Sequence, residues 1–197
     1  MGFELARYAC PNFLDSQPTS GIRLGHISLL LTTTAHPTLG IEPLLSKLQA
    51  MKTLPWFTSL SLHLFHTSPN SQELPNMYLN LARFFSATSR VVIFPGNLSV
   101  LPPLNVHSLL YERPSDQKPV ILTAEHRTYF PFPALAPVVL PSNYTVWCTE
   151  RFFFVNSRST DWVECLRQFW LDAFGKIETI QIPGLENNDA ITPVPTV

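Results

Sequence analysis

Three places in this sequence carry residue types and spacings suited to chemistry. Asn76, Asn80 and Arg83 recur at i, i+4 and i+7, the spacing that lines one flank of a helix. The arginine fork suits a diphosphate, and Asn80 beside it could orient a strand end or touch a nucleotide. The same side chains could equally do no more than bond neighbouring loops. The second place is the turn Pro95-Gly96-Asn97, directly after the apolar run Val91-Val92-Ile93-Phe94. There Asn97, beside the flexible Gly96 backbone, could bond a ribose or phosphate, or satisfy its own turn. The third gathers Glu150, Arg151, Arg158, Asp161 and Glu164 in an apolar neighbourhood. Glu150 or Asp161 is the candidate general base, while the group as a whole could form a salt-bridged cluster.

Other chemistries find less footing. No G-x-S-x-G elbow, Walker A loop or G-x-G-x-x-G fingerprint is present, which argues against serine hydrolysis and against ordinary ATP or NAD binding. His107 and His126 are lone histidines, read as plain surface or core residues before metal ligands. Trp147, Trp162 and Trp170 could stack on a sugar face, but the helical spacing of the last two reads as core. Cys10, Cys148 and Cys165 form no C-x-x-C pair. A bridge from Cys148 to Cys165 is open to the chain, with two buried free thiols the expectation. Asn97 and Asn143 each head a formal N-glycosylation triplet.

The chain that must position these groups has 197 residues, 45% hydrophobic and 14% charged, enough for one domain with a real core. Its net charge of −1 and the lack of a Lys/Arg block leave no electrostatic footprint for nucleic acid. Nineteen prolines against seven glycines imply short elements joined by stiff connections. The apolar run Ile27 to Leu31 is too short for a membrane span, and Met1 to Arg7 lacks the features of a signal peptide.

Residues 1–22 read as an irregular lead-in, 23–183 as the domain and 184–197 as a polar, flexible tail. His26 to Thr33 reads as a buried strand and Gly40 to Leu48 as a helical stretch. Ser59 to Phe65 alternates as a second strand. Pro75 opens a helix with Met77, Leu81, Phe84 and Phe85 as one face and the Asn/Arg stripe beside it. Arg90 to Phe94 and Pro119 to Thr123 follow as strands. Residues 130–141 read as a loop or edge strands, and 145–155 as room for another strand. Asp161 is the expected cap of a helix through Phe174, with Glu164 three residues on and Gly175 ending it. A last strand covers 177–182. Alternating strands and helices imply a mostly parallel α/β sheet, with ligands beyond the carboxyl ends of its strands.

Pro75-Asn76 through Asn80, Ala82 and Arg83, then Val91 to Phe94 and the turn, resembles the core motif of glycosyltransferase family 49, the LARGE-type enzymes with many fungal members. Gly25-His26-Ile27-Ser28, Trp147 to Phe152, and Asp161 to Leu171 are also similar to fungal members. The likeness covers roughly residues 22–182. It implies a GT-A-like (Rossmann-like) fold, a mixed, mostly parallel sheet flanked by helices. It further implies transfer of a sugar from a nucleotide donor to a glycan acceptor, with Asn80, Arg83, Gly96 and Asn97 at the donor. The family's Asp-x-Asp turn holds a divalent cation, usually manganese. Here proline and asparagine replace both acids, so the metal ligands are missing and metal-dependent catalysis is expected to be weakened or lost. The alternatives are a non-catalytic relative that binds a glycan or protein, and a truncated product. Members usually carry an N-terminal anchor and more chain after the tryptophan-rich helix. The resemblance implies the Golgi, whereas the missing signal or anchor reads as cytosolic.

Overall fold

The computed structural model describes residues 27–33, 42–53, 57–58, 60–68, 74–86, 88–95, 106, 109–110, 118–145, 147–148 and 157–185. The lead-in 1–22 and all but residues 184–185 of the tail lie outside them. In chain order the elements are β1 (Ile27–Thr33), α1 (Glu42–Met51), β2 (Leu60–His66), α2 (Pro75–Phe84), β3 (Arg90–Ile93), β4 (Val120–Thr123), β5 (Val138–Pro141), α3 (Arg158–Asp172) and β6 (Glu178–Gln181). None of these helices is long and apolar enough to cross a membrane.

β1 and β2 pair in parallel from Ile27↔Leu60 to Thr33↔His66. The second sheet has the order β3-β5-β4-β6. β5 is antiparallel to both β3 and β4, while β4 and β6 are parallel. β3, β4 and β6 therefore share one direction and β5 alone runs against them. The molecule is thus a mixed α/β structure, with its sheets flanked by helices.

Both faces of the larger sheet are covered, which is why its strands read as nearly continuous apolar runs. One face sets Val91, Ile93, Ile121, Val138 and Leu140 against Tyr78, Leu79 and Ala82 of α2 and Trp162, Leu166 and Phe169 of α3. The other packs Val92, Val120, Leu122, Val139 and Ile180 with Val106, Leu110 and Ile182. α2 also lies against β1, where the buried Ser28 hydroxyl donates to the Ala82 carbonyl at 2.8 Å.

Four sequence expectations are corrected. The stretch before Pro141 is not an edge, because Val138–Pro141 is a wholly buried strand between β3 and β4. A run of three apolar residues closed by proline looks like a loop. Proline is tolerated here because it ends the strand, opposite Arg90. The cap of α3 is Ser157, whose hydroxyl accepts from the Thr160 amide, and Asp161 sits in the first turn. The face of α2 is corrected in part, since Met77 and Leu81 pack against the core as expected but the two phenylalanines do not. Asn76, Asn80 and Arg83 are buried, whereas Phe84 is 75% and Phe85 47% exposed. Burying the rings would gain about 2 kcal/mol each, but the polar stripe has buried backbone partners that solvent cannot replace. Finally, Cys148 and Cys165 are joined as a disulfide rather than left as free thiols, their Cα atoms 5.1 Å apart.

The end of α3 follows from its last residues. Gly175 donates to the Trp170 carbonyl at 2.8 Å and Phe174 to the Leu171 carbonyl at 2.9 Å, the paired bonds of a Schellman motif. That motif puts Phe174 in the left-handed region at φ 50°, beside Gly175 at φ 75°. Only glycine occupies such a position without a Cβ penalty. Phe174→Gly is therefore expected to raise unfolding stability by about 0.5–1 kcal/mol in urea titrations.

Candidate functional site

Because β3, β4 and β6 run the same way, their carboxyl ends meet at one edge of the sheet. α2 leads into β3 and α3 into β6, and the starts of both helices meet the end of β3. Arg158, the first residue of α3, donates through Nε to the Pro95 carbonyl at 3.1 Å. Its Nη1 bonds Oδ1 of Asn76, in the first turn of α2. The guanidinium carbon lies 5.1 Å from the centre of the Trp162 ring, whose Nε1 is fixed to the Ala136 carbonyl at 2.7 Å. Pro95, just after β3, is thus tied to both helices by the half-buried Arg158 side chain, whose Nη2 is buried, and Asp161 lies one helical turn beyond it. At the same edge Thr123 ends β4 with its hydroxyl buried and without a hydrogen-bond partner among the described residues.

This edge carries positive charge. Two helix N-termini add partial positive charge to that of Arg158, an arrangement that attracts anionic oxygens. A hard divalent cation needs carboxylate oxygens instead. The turn 95–97 offers proline, glycine and asparagine, and a guanidinium already occupies the Pro95 carbonyl. No three His, Cys, Asp or Glu side chains form a metal-holding group among the described residues. These residues do not fit the family's manganese.

The remaining predicted residues have other surroundings. Gly96, Asn97 and Glu150 lie outside the described residues. Asn80 and Arg83 hold backbone. Nδ2 of Asn80 donates to the Trp147 carbonyl at 2.6 Å and to the Asn76 carbonyl at 2.9 Å, and its Oδ1 accepts from the Trp147 amide at 3.4 Å. Nη2 of Arg83 donates to Oδ1 of Asn80 and to the Thr145 carbonyl, both at 3.1 Å. These bonds clamp Thr145 and Trp147 against α2. Neither side chain is placed with the Arg158 group, although Asn76 of the same stripe is.

The clamped segment carries the Trp147 ring into the core. It stacks on Phe169 at 3.8 Å and meets Trp162 edge-on at 5.2 Å. Trp147 and Trp162 are 7% and 0% exposed, so neither offers a face to a sugar. Glu164 pairs on the surface with Arg167 at 3.4 Å, a contact of small energetic weight. His126 is exposed, and His107 lies outside the described residues. The sequence reading named Arg158 only as part of a charge cluster. Its place beside Pro95 comes from the packing of α3, and the sequence reading, which put the cap at Asp161, did not single it out.

Removing the clamp in Asn80→Ala leaves the buried Trp147 amide and carbonyl unpaired, and is expected to cost about 2–4 kcal/mol in chemical unfolding. Replacing both Cys148 and Cys165 with alanine opens a loop of 17 residues and should cost about 3 kcal/mol; non-reducing peptide mapping checks the bridge itself. Against known proteins, the chain matches no family model, no curated protein and no solved structure.

Proposed function

We propose that this chain is a glycosyltransferase-like protein of GT-A type that binds the diphosphate of a nucleotide sugar at the carboxyl edge of its larger sheet. The observation that carries the reading is Arg158, held at the Pro95 carbonyl where the resembled family places a cation between carboxylates. A guanidinium there supplies positive charge to a leaving diphosphate directly. The motif order along the chain, the mixed α/β architecture and the meeting of two helix N-termini at this edge support the same reading.

In the proposed transfer an acceptor hydroxyl attacks the anomeric carbon of the donor sugar. The bond from that carbon to the diphosphate oxygen breaks, and its electron pair leaves with the nucleotide diphosphate. Arg158 stabilises the growing charge. Asp161, one turn along α3, takes the hydroxyl proton, with Glu150 the alternative base. Asn80 and Arg83 act as positioning residues that hold the wall of the core behind the site. The disulfide favours an oxidising compartment such as the secretory route. A second reading, a non-catalytic relative that binds a glycan or protein, is favoured by the missing acids in the turn 95–97.

Calorimetric titration with UDP, GDP and their glucose conjugates, with and without manganese, tests the proposal. Micromolar binding that manganese leaves unchanged is expected, with Arg158→Gln weakening it about tenfold or more. Manganese-dependent binding would overturn the role given to Arg158, and absence of binding to any nucleotide would overturn the donor site. Binding without donor turnover in the presence of glycan acceptors selects the second reading.

A further inference from the structure

A groove of about 770 Å³ lies at the opposite edge of the larger sheet, where β4 and β6 begin and β5 ends. Its volume falls within the range of small-molecule sites, about 300–1,000 Å³. Lys118 enters it from just before β4, Lys176 and Glu178 from the start of β6, Tyr144 from just after β5, and Asp172 from the end of α3. Tyr144 lies against Phe169, their rings 5.8 Å apart, which gives the groove an aromatic wall.

Three of the charged groups here are not spent on the described residues. The side chains of Lys118, Lys176 and Asp172 form no ion pair or hydrogen bond with the described residues. Burial, then the charge of Asp172, raises the Tyr144 phenol above its ordinary value of 10.0 against the opposing pull of Arg83, so the hydroxyl stays a neutral donor and acceptor. Two positive and two negative side chains line the groove, and neither sign prevails. Phe174, between the lining residues Ala173 and Gly175, is 91% exposed on a left-handed backbone, and Tyr129 is 64% exposed next to the lining residue Thr128. An apolar ring presented to water at a position where glycine would be more stable is available to a ligand.

An anion entering this groove would meet Asp172 and Glu178, and a cation would meet Lys118 and Lys176. A hydroxyl-rich neutral ligand can pair with both signs and lay its C–H faces on the rings. We propose that the groove binds a neutral oligosaccharide, with Phe174 as the stacking platform and Asp172 and Lys176 as hydrogen-bonding partners. This site is separate from the carboxyl edge and does not rest on nucleotide binding there.

The test is titration of isotope-labelled protein with maltohexaose, cellohexaose, laminarihexaose and chitohexaose, followed by amide NMR shifts. At least one probe is expected to bind with a Kd of about 1 mM or tighter, moving the signals of Gly175, Lys176 and Glu178 and leaving Arg158 unmoved. Phe174→Gly, expected to be more stable than the parent, and Asp172→Asn should each weaken binding about fivefold. No movement of those signals at about 10 mM of any probe overturns the proposal, as does binding that both variants leave unchanged. An Arg158→Gln variant that loses nucleotide binding while keeping the sugar response separates the two sites.

Discussion

The amide of Asn80 meets both the N–H and the C=O of Trp147, and the packing around α2 and α3 depends on that exchange. A backbone unit inside a core must have its donor and acceptor satisfied, and residues 147–148 belong to no strand that would do so. One side chain performs both tasks, Arg83 fixes the chain two residues earlier, and the disulfide fixes the next residue to α3. Only then can the Trp147 ring sit between Trp162 and Phe169, where it joins the two helices into one layer. A polar stripe on a helix can thus be structural. Its chemistry resembles ligand binding because backbone amides and ligands present the same hydrogen-bonding groups.

At the carboxyl edge the balance of charge decides what can bind. Acidic residues there would hold a cation and let it face a diphosphate. Here the positive charge at the end of β3 belongs instead to a guanidinium stacked on Trp162 and bonded to two elements, and the proposed diphosphate site rests on it. Arginine suits this because its planar fork can satisfy a carbonyl, an amide and an aromatic face while remaining charged. The cost is reach, since an arginine so anchored cannot follow a ligand as a mobile ion can.

The two edges of the sheet differ in how they keep polar groups. At the carboxyl edge the groups are drawn into one another, and the turn is pinned. At the amino edge Lys118, Lys176, Asp172 and the Tyr144 hydroxyl are left open around a cavity. Phe174 marks the same contrast on the backbone, for a glycine there would be more stable and would present no ring.

Much of the fold was legible in local pattern. The alternation in 59–65, the proline opening α2, the apolar strand before Pro95, the α3 stripe and Gly175 at its end all follow from periods and propensities within a few residues. These features depend on a residue and its near neighbours, so the sequence alone determined them. It also determined that the turn 95–97 lacks carboxylates. Tertiary structure decided the rest. Which face of α2 is buried depends on residues 145–147, more than 60 positions away, because a buried amide is stable only beside its partner. The same holds for β5, whose central place rests on pairing with β3 and β4, and for Arg158, whose meaning appears only when α3 brings it to Pro95. Pattern specifies which elements form, while long-range hydrogen bonds and packing specify which of their residues face one another.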